Sequence, residues 1–139
     1  MKKLVISGGR QTGKTTILAD IARTNASTRP GIRILVIAPT RSMLDLLIEK
    51  ISVDENIARI IQSPTFIEYK NGSTIAFRTA TSKDTEYAFM GRGGFRPDIL
   101  LIDGVEYINT EFYEEIMRSV NAEMVVETRL EYEDGRVLE

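Results

Sequence analysis

Residues 7–16, SGGRQTGKTT, follow directly on the apolar run 4–6, and they decide how the rest of the chain is read. Gly8, Gly13, Lys14 and Thr15 satisfy the pattern G-x-x-x-x-G-K-[ST]. Glycines let the backbone curl so that successive N–H groups converge, and a helix starting near Lys14 adds the positive end of its dipole. Such a cradle takes phosphate groups. The candidate binding loop comprises Gly8, Gly9, Arg10, Gln11, Thr12, Gly13, Lys14, Thr15 and Thr16. In it, Lys14 is placed to reach β- and γ-phosphates, and the Thr15 hydroxyl to bind Mg²⁺. The implied ligand is ATP with Mg²⁺. The competing reading is a glycine-rich turn that binds nothing.

Working outward, residues 4–7 read as a short buried strand and 14–23 as a helix with Ile17, Leu18 and Ile21 on one face. Residues 26–31, ASTRPG, are a turn and loop cluster. The nearly continuous apolar run 32–38 suits a strand covered on both faces. Residues 42–51 show helical spacing at Leu44, Leu47, Ile48 and Ile51. Around Asn71-Gly72, residues 65–70 and 73–78 read as a β-hairpin. A two-residue turn there would pair Phe66 with Phe77 and Ile67 with Ala76. Residues 81–94 are expected to form a short helix or ordered loop. Residues 98–103, DILLID, form another buried strand, Asn109 or Thr110 caps a helix, and 123–128, EMVVET, form the last clear strand. The tail adds one short strand or frays. Alternating strands and helices imply an α/β fold with a mainly parallel sheet, the hairpin being a decoration or an antiparallel extension.

Composition narrows the chemistry. The 139 residues contain no cysteine and no histidine, which excludes disulfides, thiolate metal sites and a serine–histidine–aspartate triad. No apolar run approaches the roughly 18 residues of a membrane span. The formal net charge of −2 does not advertise nucleic-acid binding, so any such contact needs a local patch. A cytoplasmic location is expected from the missing export signal and cysteines.

A phosphate loop needs an acid on a neighbouring strand to hold the magnesium water shell, and Asp103 closes such a strand. An aspartate capping the next loop is the alternative. Many hydrolytic relatives of such loops carry a water-polarising glutamate directly after this aspartate. Here that position is Gly104. Glu106 stands two residues further on, either as a substitute base or as a solvated acid ahead of a helix.

Together these segments resemble the ATPase domain of phage terminase large subunits, the DNA-packaging motors. SGGRQTGKTT is similar to their phosphate loop, and VIAPTRSML (36–44) to the segment after their second strand, shared with helicases. Residues 67–108 are similar to their hairpin, GRG loop and acidic strand, and MVVET (124–128) falls at their coupling strand, with Thr128 its polar terminal residue. The resemblance covers residues 3 to about 128.

It implies a three-layer P-loop NTPase with a RecA-like sheet and a β-hairpin insertion near 65–78. The coupling strand would lie between the phosphate-loop strand and the Asp103 strand. Arg10 would reach the γ-phosphate in the transition state, making Lys14, Arg10, Asp103 and Glu106 the candidate catalytic set and Thr15 and Asp103 the metal ligands. Arg92 and Arg96 would contact DNA phosphates or a neighbouring subunit, or serve only solubility. The family's upstream adenine segment and C-terminal nuclease find no counterpart, so residues 1–139 are expected to be a single ATPase-like domain without a nuclease.

The expected partners are ATP or ADP, double-stranded DNA, and a homo-oligomeric ring or larger packaging complex, with no membrane. The expected function is ATP hydrolysis driving nucleic-acid translocation, weak for the chain alone. The alternative is a catalytically weak or inactive nucleotide-binding module of a phage or mobile-element complex. A small kinase is a third reading, but no lid of clustered arginines stands in the sequence.

Overall fold

The long apolar runs 34–38 and 99–102 lie side by side at the middle of one seven-stranded sheet. The computed structural model describes residues 2–9, 13–62, 65–80 and 96–130, and the backbone of 132–133 and 136–137. The strands are β1 (Lys2–Gly8), β2 (Arg33–Ala38), β3 (Ile57–Ile61), β4 (Phe66–Tyr69), β5 (Thr74–Thr79), β6 (Ile99–Ile102) and β7 (Met124–Leu130). Their order across the sheet is β1-β7-β6-β2-β5-β4-β3. From β1 to β5 neighbours run parallel, and β4 and β3 extend the sheet antiparallel. The expected placement of the 124–130 strand between the phosphate-loop strand and the Asp103 strand is therefore seen. The backbone of 132–133 pairs antiparallel with 136–137 in a separate two-stranded sheet.

Strand alternation sorts the core into two layers. Ile34, Val36, Ile99, Leu101 and Val126 face helices α1 (Lys14–Thr28) and α2 (Arg41–Ser52), meeting Leu18, Ala22, Leu44 and Leu47. Leu35, Ile37, Leu100, Ile102 and Val125 face the other way, toward α3 (Thr110–Ser119) and its Ile116. The three layers match the expected α/β architecture. Asn109 caps α3, its side chain accepting from the N–H groups of Glu111 and Phe112.

The structure departs from the sequence reading in four places. Strand β1 is not buried: it pairs on one side only, with β7, leaving Leu4 42% and Val5 47% exposed. Helix α1 runs through the expected turn at 26–28, because Ala26 continues the buried Ala22 face and the Ser27 and Thr28 hydroxyls bond back to Thr24 O. It stops at Arg29, the residue before Pro30. On that helix Ile17 is exposed, and the core face is Leu18, Ala19, Ala22 and Ala26.

The third departure is the hairpin register, which pairs Phe66 with Ala76 and Ile67 with Ile75, one residue off the two-residue-turn expectation. Tyr69 N donates to Ser73 O and Gly72 N to Tyr69 O, so Lys70, Asn71 and Gly72 form a three-residue connection with Gly72 left-handed at φ 88°. Asn71 is engaged elsewhere. Its amide donates to Ala26 O at 2.8 Å, tying the turn to the end of α1. The fourth is β3, which the sequence reading did not assign; four of its five residues are exposed, so it shows no buried alternation. The segment 81–94 lies outside the described residues.

Candidate functional site

Gly13 begins α1 in the left-handed conformation, φ 84°, and has no side chain to cap the helix. A glycine is the residue that accepts this dihedral without strain. No cap side chain competes there for the first-turn N–H groups, which suits an anion at the positive end of the helix. Lys14 Nζ curls back onto the loop, donating to Gly8 O at 3.0 Å and Gly9 O at 2.5 Å. The ammonium is thus held against the first two glycines of the loop.

Thr15 and Asp103 are 88 positions apart in the chain, and the fold brings them into contact: Thr15 Oγ1 donates to Asp103 Oδ2 at 3.0 Å. Asp103 follows directly on β6 and is 3% exposed. Its other oxygen, Oδ1, accepts from Thr128 Oγ1 at 2.5 Å. Thr128 in turn accepts from Gly104 N at 2.8 Å. A hydroxyl and a carboxylate side by side are hard oxygen donors of the kind Mg²⁺ takes alongside phosphate oxygens and water. Among the described residues no group of three or more His, Cys, Asp or Glu converges on a metal position.

Gly104 has φ 68°, and a Cβ built on it would fall 2.8 Å from Met43 Cε and 3.2 Å from Pro39 Cγ. Pro39 and Met43 belong to the 36–44 segment, whose Thr40 caps α2 by accepting from Met43 N. A side chain at position 104 is therefore strained by its backbone and must displace Met43 and press on Pro39. Glu106 lies in a single 3₁₀ turn, Val105–Tyr107. The solvated-acid reading does not hold for it. Glu106 Oε1 accepts from Leu130 N at 2.9 Å, and Oε2 is buried with no hydrogen-bond partner among the described residues. Leu130 stands level with Gly8 across β1 and β7, so Glu106 reaches the strand end beside the phosphate loop.

The structure thus brings together Gly8, Gly13, Lys14, Thr15, Asp103, Thr128 and Glu106. Arg10, Gln11, Thr12 and Arg92 lie outside the described residues. Arg96 is exposed.

At the level of sequence the chain matches no family model and no curated protein. Solved structures do match. The large terminase of bacteriophage HK97 superposes with a TM-score of 0.73 at 15% identity, over 94% of this chain and 29% of that one. The large-terminase ATPase domain of Thermus phage P74-26 gives 0.61 at 16% identity, over 96% and 61%. A large terminase from a thermophilic bacteriophage, solved in complex with ADP, gives 0.65 at 12% identity, over 92% and 33%. The chain has the fold of the phage large-terminase ATPase domain. It spans about a third of the full-length large terminases it matches.

One group of polar residues in this terminase fold was not singled out from the sequence. Glu127, on β7 beside Thr128, is fully buried. Because strand residues alternate, it points to the α3 face while Thr128 meets Asp103. Its carboxylate accepts from Tyr113 OH at 2.6 Å and Arg129 Nη2 at 2.5 Å, and Lys3 Nζ lies 3.2 Å away. Lys3 also donates to Tyr113 OH at 2.7 Å, and this bond, with the Glu127 charge, pushes the Lys3 ammonium above its ordinary value. Burial, then the bond to Glu127, pushes the Tyr113 phenol up. The cluster fastens β1, β7 and α3 together. The only sequence signal for it was a lone acid in an apolar run.

Lys3 and Arg129 are 38% and 44% exposed and can return to water when Glu127 is removed. Glu127→Ala is therefore expected to cost about 2 kcal/mol, short of the penalty for stranding a fully buried charge. A urea titration checks this, read as a lower midpoint with an unchanged slope.

Proposed function

We propose that this chain binds ATP with Mg²⁺ at residues 8–16 and hydrolyses it, as the ATPase part of a terminase-type motor that moves nucleic acid. The observation that carries the reading is the contact of Thr15 Oγ1 with Asp103 Oδ2 at the mouth of the phosphate loop. Two oxygen ligands so far apart in sequence converge beside Lys14 and the start of α1. The ADP held by one terminase with this fold is consistent with the same ligand class.

In this reading Lys14 leaves the Gly8 and Gly9 carbonyls for the β- and γ-phosphates, exchanging two neutral acceptors for charged ones. The N–H groups of the loop and of the first turn of α1 orient the phosphate chain. Thr15 and Asp103 would hold the metal, which would neutralise negative charge developing on the phosphates. Arg10 is assigned to the γ-phosphate, and Glu106 to the attacking water, whose proton its carboxylate accepts. Double-stranded DNA and a ring of subunits or larger packaging complex are the proposed partners, so turnover by the lone chain is expected to be weak. We also propose that residues 1–139 act as one ATPase-like unit in the cytoplasm of the host.

A second reading is favoured by the crowded space around Gly104. With no carboxylate directly after Asp103, the chain would bind nucleotide, hydrolyse it slowly or not at all, and serve as a nucleotide-gated module of a larger complex. Calorimetric titration of Mg²⁺·ATP followed by phosphate release, with and without double-stranded DNA, separates the two. Binding with DNA-stimulated release is the outcome expected for the motor. Binding with no release at any DNA concentration gives the second reading, and no binding rejects both.

A further inference from the structure

Strand β7 is tied down twice at its end by one short loop. At residue 128 the ties are Asp103 and Gly104, through the Thr128 hydroxyl. At residue 130 the tie is Glu106, whose Oε1 takes the Leu130 N–H at 2.9 Å. The second tie is unusual in its energetics. Glu106 Oε2 is buried and has no hydrogen-bond partner among the described residues, although the next residue in the same turn, Tyr107, is 55% exposed. A carboxylate oxygen kept from water without a donor is costly, and that cost offsets much of what the single bond to Leu130 contributes. The bond is therefore close to balance between being made and being broken.

We infer that Glu106 is a nucleotide-operated latch on the end of β7. This rests on the ATP-binding reading above. Without nucleotide, the carboxylate is parked on the Leu130 N–H and withheld from any water. Loading the loop requires Asp103 to exchange its bond from Thr15 Oγ1 for the metal's shell. Asp103 also holds Thr128 through its other oxygen, two residues before Leu130 on the same strand. A shift of Asp103 therefore moves the strand end against the 3₁₀ turn, and the weak Glu106 tie gives way first. Release frees the carboxylate for the reacting water and unties β7 from the acidic loop in one event. Hydrolysis and the position of the chain that follows β7 are thereby linked through a single side chain.

The test is amide hydrogen exchange at Leu130, with nucleotide binding read by calorimetry on the same samples. The probe is the slowly hydrolysed analogue ATPγS with Mg²⁺, at saturation. In the unaltered chain, protection of the Leu130 amide is expected to fall at least 10-fold on saturation. Glu106→Ala should show that low protection before any nucleotide is added. Glu106→Gln keeps an oxygen acceptor but no base, so it should retain Leu130 protection and nucleotide affinity while losing turnover. Leu130 protection that stays constant at proven saturation overturns the latch and leaves ATP binding standing. Wild-type protection in a folded Glu106→Ala variant overturns it as well. Should Glu106→Ala not fold, Leu130 protection in the unaltered chain with and without saturating analogue decides alone. Failure of the analogue to bind at all overturns both this inference and the function on which it rests.

Discussion

Lys14→Ala is expected to abolish ATP binding in calorimetry, with affinity at least 100-fold weaker and no phosphate release. The ammonium lies 3.0 and 2.5 Å from the Gly8 and Gly9 carbonyls, so it is already held against the first two glycines of the loop. Its removal takes away the charge assigned to both the β- and γ-phosphates, and a charge-assisted bond to phosphate is about twice as strong as a neutral one. The fold should survive, because Lys14 lies on the first turn of α1 outside the buried face formed by Leu18, Ala19, Ala22 and Ala26. A thermal scan within a few degrees of the parent, together with lost binding, is the expected pair of results. Unchanged affinity and turnover in a folded Lys14→Ala variant would sink the phosphate-loop assignment.

The second large effect is structural. Supplying the glutamate that usually follows the acidic strand, by Gly104→Glu, is expected to destabilise the chain and to add no hydrolysis. Gly104 sits at φ 68°, where an L side chain costs about 1–2 kcal/mol. Its Cβ would press on Met43 Cε, which can swing aside, and on the Pro39 ring, which cannot. Overpacking of this kind adds roughly 1–3 kcal/mol. The sum, about 3 kcal/mol, corresponds to a fall in Tm on the order of 10 °C for a chain of this size. The new side chain would also start toward the 36–44 segment. Gly104→Ala carries the same backbone penalty and the same Cβ contacts, so it should lose most of the stability that Gly104→Glu loses. A Gly104→Glu variant as stable as the parent, with faster phosphate release, would show that position 104 can take up the catalytic role and that Glu106 does not hold it.

These two positions show what local sequence carries and where it stops. The phosphate loop was legible because its chemistry is local. Glycine spacing, the lysine and the hydroxyl all stand within one turn and the helix that follows, so the pattern alone is enough to propose a ligand class. The parallel core was legible for a similar reason. Strands covered on both faces must be apolar throughout, and 34–38 and 99–102 are. The hairpin was found from Asn71-Gly72, but its register was missed. The turn type depended on the Asn71 amide reaching the carbonyl of Ala26, 45 residues away in the chain. Strand β3 was missed because an edge strand exposed on both faces carries no alternation to detect.

By itself the sequence determined the α/β class, the order of the elements apart from β3, the phosphate-loop pattern and the acid that closes a neighbouring strand, because each depends on residues near one another in the chain. Tertiary structure alone decided the rest. It made β1 an edge, set Thr15 against Asp103, turned Glu127 to one face and Thr128 to the other, and crowded position 104 with Pro39 and Met43. It also decided that Glu106, which sequence left between a substitute base and a solvated surface acid, is drawn onto the Leu130 N–H. The physical reason is common to all of these. Burial and hydrogen-bond partners are set by which strands become neighbours, and in a parallel sheet those neighbours are joined by long crossovers that no local pattern records.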